Sequence, residues 1–372
     1  MRWKLLLRYP LDRAKASKSL RKLETVDPDW PLIGIDLQTD HLLIDGVRHL
    51  ACLAIAAEQR RYRVTLRCSP LQLAAIAHKR LGSLFLSRPN VAWSTTTDDL
   101  REAQAVLCDL EQATNNPNAA KSVHLLLGKD TPADVPALPY PMHPKQMLRW
   151  NSTRAAGVRR RRKAGVFFAG NQKPRYGRDR MQQTFGVMPR LEIVQTLRDH
   201  FPTRIVQKHA TGDPSRIVLR DTVAEPIAEK DWLETLGDHR FFLCCPGAAQ
   251  PMCHNVIEAM ACGVIPIIEY ADRFAEPLKD GHNAIIFSGQ EGLLDAIDRV
   301  DSLSESRLEQ MTRHVIEYYE AYLRYDEFVA KMISDPRSRT VAMPVHDKNL
   351  FAAHSTTVGS PHLACDARRL AS

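Results

Sequence analysis

His254 and Glu258 stand four residues apart in FLCCPGAAQPMCHNVIEAMACGVIPIIE, residues 242–269. On a helix that spacing places an imidazole and a carboxylate on one face, one turn apart. Two strand-like apolar runs flank the helical pattern. Pro246-Gly247 ends the first run, and glycine there lets backbone approach a ligand closely. A helix starting near Cys253 and closed by Gly263 presents its first amides without intrahelical partners, at the positive end of its dipole. The chemistry this predicts is anion binding, with a diphosphate at the helix start. His254 would contact phosphate or sugar, and Glu258 would accept hydrogen bonds from a ribose diol. On an isolated helix the same two residues read as a surface acid and an end-turn histidine. The strand-Pro-Gly before them and the Gly-strand after them favour the site.

The elements that must position these residues alternate along two regions. In the first, HLLID (41–45) reads as a strand, GVRHLACLAIAAEQRR as a helix and YRVTLRC (62–68) as a strand. SPLQLAAIAHKRLG reads as one helix stopped by Gly82, and VAWS, AVLCDL and SVHLLLG as strands. A proline-rich stretch, residues 129–145, follows and cannot continue regular structure for long. In the second region GVFFAGN, TRIVQKH, RFFLCCPG, VIPIIE and NAIIFSG read as strands separated by helices, with a long helical stretch from Arg307 to Ile333. Pro266 inside VIPII is an uncomfortable residue for a central strand. Alternating strands and helices predict two doubly wound α/β, Rossmann-like domains facing across a cleft. The expected division is a basic tail at 1–31, a first domain at 32–150, a second at 151–334 and a structureless tail at 335–372.

The 372 residues suffice for two cores, and the composition is 44% hydrophobic and 25% charged. A net charge of +8 suits phosphate-bearing ligands or a peripheral contact with an anionic membrane surface. The dense basic block Arg159–Lys163 lacks interleaved aromatics, so a nucleic-acid partner is not expected; a solvated linker is. The eight cysteines form no CxxC pair, and five of them (Cys52, Cys108, Cys244, Cys245, Cys262) lie in apolar runs as small core residues. No run reaches the roughly 18 apolar residues of a membrane span. A cytoplasmic location, peripheral at most to a membrane, is the expectation. No GxGxxG and no GxxxxGK[ST] is present, which argues against a nicotinamide enzyme and a P-loop ATPase.

FLCCPG followed by EAMACGVIPII resembles the signature of retaining and exostosin-like glycosyltransferases of the GT-B fold. Many of those enzymes carry two acids separated by seven residues. Glu258 matches the second, the ribose ligand, while Gln250 stands in place of the first. A Ser-x-Arg stretch usual in the family is replaced by Met252-Cys253-His254-Asn255. The resemblance implies a donor site in the second domain made by Gly247, Gln250, His254, Asn255 and Glu258. It also implies a phosphate-contacting basic loop after Gly170, with Arg175 and above all Arg178, and a strand-end cation, Lys208, on the departing diphosphate. In an inverting enzyme a base must take the acceptor proton. Asp45 or His49, at a strand-to-helix turn of the first domain, would serve; the alternative makes them a helix cap and a surface residue. His143, on its proline loop, reads as part of a hinge.

The resulting expectation is a glycosyltransferase that moves a sugar from a UDP- or GDP-linked donor to a glycan hydroxyl, with no cofactor and no metal. Asp27-Pro28-Asp29 has metal-holding D-x-D spacing but lies ahead of the first strand. The alternatives are a non-catalytic GT-B module that binds glycan or nucleotide, motivated by Gln250, and an epimerase-like enzyme of related fold.

Overall fold

The computed structural model describes residues 2–20, 26–110, 121–130, 132, 135–160, 165–206, 215–335, 340–345 and 347–350, without the side chains of 2–6, 44 and 45. Its named strands form two parallel sheets of six. The first contains β1 (Leu32–Asp36), β2 (Arg63–Arg67), β3 (Val91–Ser94), β4 (Ala103–Cys108), β5 (Ser122–Gly128) and the late β12 (Thr340–Pro344). Their order is β12-β5-β4-β1-β2-β3. The second contains β6 (Val166–Gly170), β7 (Ile205–Val206), β8 (Ile217–Asp221), β9 (Phe241–Leu243), β10 (Ile265–Ile268) and β11 (Ile285–Ile286). Their order is β11-β10-β9-β6-β8-β7. These are the two doubly wound, Rossmann-like domains that the alternation predicts.

β1 and β6 are buried at every position, as parallel strands covered on both faces must be. The helix Val47–Gln59 lies close to the first sheet because Ala51, Cys52, Ala54 and Ala56 on it are small and wholly buried. Cys52, Cys108, Cys244, Cys245 and Cys262 are buried free thiols, filling space as small hydrophobes. Pro266 is accommodated inside β10 because N–H groups alternate sides along a strand. Ile265 donates to Arg240 O on the β9 side, so Pro266 addresses the other side. There β11 begins only opposite Ile267, and no acceptor is left waiting.

The structure overturns several sequence expectations. HLLID is no strand: Leu42–Asp45 is a helical turn, and the opening strand is LIGID just before it. Gly34 had obscured that strand; a Cβ there would stand 2.8 Å from Val106, so glycine admits β4. The single helix expected over residues 69–82 breaks at Lys79, whose backbone is extended. Gly82 lies inside the next helix, Arg80–Leu86, where a Cβ would fall 1.8 Å from Ile76 O. The 1–31 tail contains a helix, Arg2–Leu20, which seats Asp12 and Ala16 against the helix Pro70–His78. Asp12 stands 3.3 Å from His78 Nδ1, and Arg13 stacks 4.4 Å over Trp93. The long helical stretch divides into Glu305–Tyr318, a wide π turn at Tyr319–Leu323, and Tyr325–Ser334.

The last correction concerns the C-terminal segment. Within the expected structureless tail, residues 340–344 form β12 on the edge of the first sheet, paired with β5 from Thr340↔His124 to Pro344↔Gly128. The helix Tyr325–Ser334 packs on the helix Val47–Gln59, and Arg60 pairs with Asp326 at 3.1 Å and Glu327 at 2.5 Å. The chain therefore returns to its first domain. Residues 351–372 of the expected tail lie outside the described residues.

Val341 is fully buried in β12. Placing a carboxylate there strands a charge among apolar neighbours, so Val341→Asp should lower the unfolding free energy by about 3 kcal/mol. Urea denaturation checks this; a structureless tail would leave the midpoint unchanged.

Candidate functional site

A cavity of about 640 Å³ opens at the carboxyl ends of β6 and β9, where the strand order of the second sheet reverses. Open parallel sheets bind ligands at this point. β6 delivers Gly170 and Asn171 to its wall; the loop after β9 delivers Gly247 to Met252. Arg48, Arg80 and Tyr140 reach it from the first domain's part of the chain.

One buried guanidinium joins the two loops. Arg190 begins the helix Arg190–His200 and is 6% exposed. Its Nε and Nη2 donate to Pro246 O at 3.1 and 2.8 Å, and its Nη1 donates to Asn171 O at 3.0 Å. Tyr176 covers its face at 3.9 Å. Among the described residues no carboxylate ion-pairs with Arg190; neutral carbonyls and the rings of Tyr176 and Phe168 face it instead. Two glycines make the arrangement possible. A Cβ at Gly170 would stand 2.8 Å from the Phe168 ring and 3.3 Å from Arg190 Nη1. One at Gly247 would stand 2.5 Å from Gln250 O, in a loop closed by Gly247 N–H donating to Pro251 O at 3.2 Å.

The helix His254–Ala261 starts at the cavity, with Cys253 as a cap residue whose side chain makes no capping bond. Asn255 Nδ2 donates to Ala169 O at 3.2 Å and fixes the helix start to the end of β6. Glu258 is wholly buried one turn on. Its Oε1 accepts the His143 backbone N–H at 2.7 Å, and its Oε2 accepts the Trp232 indole N–H at 2.5 Å. His254 Nδ1 lies 3.1 and 3.0 Å from the two oxygens. Burial pushes the carboxyl up, but the His254 charge and bond, the His143 amide and the indole together hold it below the usual carboxylate range.

The His254 side chain is 30% exposed at the cavity. Its ring stands edge-on to His143, with centroids 5.5 Å apart. His143 caps the helix Pro144–Arg149 through Nδ1, which accepts Lys145 N–H at 3.3 Å. Burial, followed by the neighbouring His254, lowers its pKa to about 4. Glu229, a further acid on the wall, is engaged by Lys145 at 2.5 Å and Arg149 at 3.2 Å. That bond to Lys145 holds its carboxyl low.

Of the residues singled out from sequence, Gly170, Arg175, Gly247, Gln250, His254, Asn255 and Glu258 come together on this cavity. Arg175 is exposed at the rim, with Nη2 3.1 Å from Tyr176 OH. Arg178, the favoured member of the basic loop, is exposed and does not line the cavity. It follows the short turn Pro174–Gly177 in extended backbone. Lys208 and the Asp45 side chain lie outside the described residues.

His49 is a correction: it faces the core, 4% exposed, with Nδ1 3.1 Å from Tyr325 OH. Burial, helped by Arg48, lowers its pKa to about 3. Successive helix residues are rotated by about 100°, so Arg48 takes the cleft face and its neighbour the core. Glu258 lies behind His254 with both oxygens occupied, not open to a ribose as expected. Asp27 and Asp29 form a local turn, Asp29 N–H to Asp27 Oδ1 at 2.9 Å, away from the cavity lining. Arg190 and Trp232 are not singled out by any sequence motif. A cation opening a helix, where the dipole disfavours it, was the available signal for Arg190; a lone tryptophan offered none.

No protein-family profile and no curated protein matches the chain. Solved structures with some likeness include HepE of Anabaena in complex with UDP, at 10% identity and a TM-score of 0.40, covering 82% of this chain and 99% of that one. AviGT4, a glycosyltransferase involved in avilamycin A biosynthesis, is 12% identical with a TM-score of 0.39, covering 82% and 98%. WaaG, a glycosyltransferase involved in lipopolysaccharide biosynthesis, is 12% identical with a TM-score of 0.35, covering 82% and 99%. At such scores the likeness adds nothing to the topology and geometry above.

Removing the Glu258 carboxylate leaves a buried indole N–H and a buried amide without acceptors. Glu258→Ala should therefore cost about 3 kcal/mol of stability or more, measured by urea unfolding. His49 gives a pH signature. Its folded pKa of about 3 lies below the ordinary value near 6.5, so unfolding takes up a proton in between. Its share of stability is complete above about pH 6.5 and declines as pH falls toward 3. Between pH 7 and 5, where most carboxylates stay ionised, His49→Gln should flatten the decline by up to about 2 kcal/mol.

Proposed function

We propose that the chain is a glycosyltransferase, taking a sugar from a nucleoside-diphosphate donor, UDP- or GDP-linked, to a glycan hydroxyl without a bound metal. The observation that carries this reading is the buried Arg190. It fastens the Asn171 and Pro246 loops around the start of the helix His254–Ala261. A cation lacking an acid partner among the described residues, beside free helix amides, is built for a diphosphate. A cavity near 640 Å³ also suits a ligand of that size.

Breaking the glycosidic bond loads negative charge onto the departing diphosphate, and fixed positive groups stabilise that charge. Arg190 and the helix start would act from below. His254, with Nδ1 held by Glu258, keeps Nε2 for the ligand. Glu258 would thus act through His254. Asn255 keeps the helix start in place, and Gln250 and Arg175 complete the donor wall. Arg48 and Tyr140 form the acceptor side, and Asp45, three residues before Arg48, is the proposed acceptor of the hydroxyl proton.

A thermal-shift and turnover series tests the reading. UDP or GDP at 100 times its Kd, with EDTA present, should stabilise the protein by about 2.7 kcal/mol. The matching sugar nucleotide should release nucleoside diphosphate on transfer. His254→Ala, altering a part-exposed ring, should weaken nucleotide binding about tenfold, roughly 1.4 kcal/mol. Absence of a shift with either nucleotide at millimolar concentration sinks the proposal. Binding without release, whatever the sugar, identifies a non-catalytic module instead.

A further inference from the structure

The two most exposed large hydrophobic residues among those described lie on one element, the helix Arg2–Leu20. Leu7 is 66% and Leu11 72% exposed, against 52% for the next, Val223. They sit one turn apart, and Ala14, also exposed, continues the same stripe at helical spacing. Arg8 and Lys15 are exposed along one side of the stripe, and exposed Lys18 ends it one turn after Ala14. The opposite face is used up: Asp12 and Ala16 are buried against the helix Pro70–His78, and Arg13 covers Trp93.

The charge of this helix points to its partner. It carries six basic residues and one acid. That acid, Asp12, is buried and engaged by His78 and by Arg8 at 3.7 Å. An exposed leucine stripe flanked by arginine and lysine is the pattern of a helix lying in a membrane interface. There the apolar side chains enter the acyl boundary while the basic stems extend to anionic head groups. A second copy of the chain would bring the same basic helix and another net +8 against it, which is repulsive.

We propose that this face binds the surface of an anionic lipid bilayer. The same helix contacts the helix Arg80–Leu86, whose first residue lines the cavity, and Asp12 bonds to His78 two residues earlier. The bilayer would therefore meet the molecule close to the acceptor side of the cleft. Under the proposed glycosyltransferase reading, on which only this consequence rests, the acceptor is a membrane-anchored glycan.

Co-sedimentation of the full chain with vesicles tests the surface. The protein should pellet with phosphatidylcholine vesicles containing about 30% phosphatidylglycerol, and stay in solution with phosphatidylcholine alone. Binding should fall as salt rises from 0.1 to 0.5 M, because screening weakens the lysine and arginine contacts. The Leu7→Gln, Leu11→Gln double variant should partition at least tenfold less, with an unchanged thermal midpoint and an unchanged response to UDP and GDP. The proposal is overturned if the wild type ignores anionic vesicles or if the double variant binds them equally well. It is also overturned if gel filtration shows a dimer that the double variant dissolves while vesicle binding persists. Vesicle binding is read without any sugar nucleotide, so its loss and the loss of the transferase reading are separate results.

Discussion

Glu258 is a charge with no exposure to water, and three separate parts of the chain donate to it. His143 comes from the proline-rich connector, Trp232 from the helix Trp232–Gly237, and His254 from its own helix one turn back. A carboxylate without these donors would not remain ionised at such depth. Because it has them, the connector, the neighbouring helix and the cavity-lining imidazole are held in one arrangement. The connector is fastened on its other side too: Cys52 Sγ contacts Met142 O at 3.5 Å, and Gln146 Nε2 donates to Glu229 O at 2.7 Å. Its prolines lower the entropy lost in holding an extended segment wedged between two domains.

Arg190 is the counterpart of Glu258, with opposite sign and an opposite solution. The acid is satisfied by donors that include an imidazole, whereas the guanidinium is satisfied by the carbonyls of Pro246 and Asn171. Neutral acceptors leave its positive charge uncancelled at the base of the cavity. The acids nearby do little to offset it, since Glu229 is taken by Lys145 and Arg149 and Glu258 faces His254. The field in the cavity thus follows from which polar groups were given charged partners and which were given dipoles.

The connection between domains is made twice. The chain leaves the first domain through the connector and the helix Ser152–Arg159, and returns through the π turn Tyr319–Leu323. The two crossings meet where Arg159 pairs with Glu320 at 2.7 Å and stacks over Trp150. The returning segment then completes the first sheet with β12, so the first domain is built from two stretches of chain with the second domain between them. Arg159 had read as the start of a solvated basic block; the ion pair with a residue 161 positions later gives it a structural task.

Strand-helix alternation, the strand-turn-helix layout that brings residues 247–258 to the cavity and the core placement of the five cysteines in apolar runs were legible in the sequence. Each depends on neighbours close in the chain: periodicity, a Pro-Gly after an apolar run, amides at a helix start. The elements missed were those with weak local patterns. β1 carries a glycine needed for β4 to approach, the first helix has a narrow buried face, and β12 is stable only against β5. Sequence also placed His254 and Glu258 on one face. It could not say that Glu258 would be sealed behind the imidazole, since two of its partners, His143 and Trp232, lie 115 and 26 residues away. Nor could it choose between Arg48 and His49, adjacent residues whose fates depend on which side of the helix meets Tyr325. Chain-local chemistry decided what kinds of groups would be available; contacts between distant segments decided which of them face the cavity, because burial and hydrogen-bond partnership exist only once the two domains are packed.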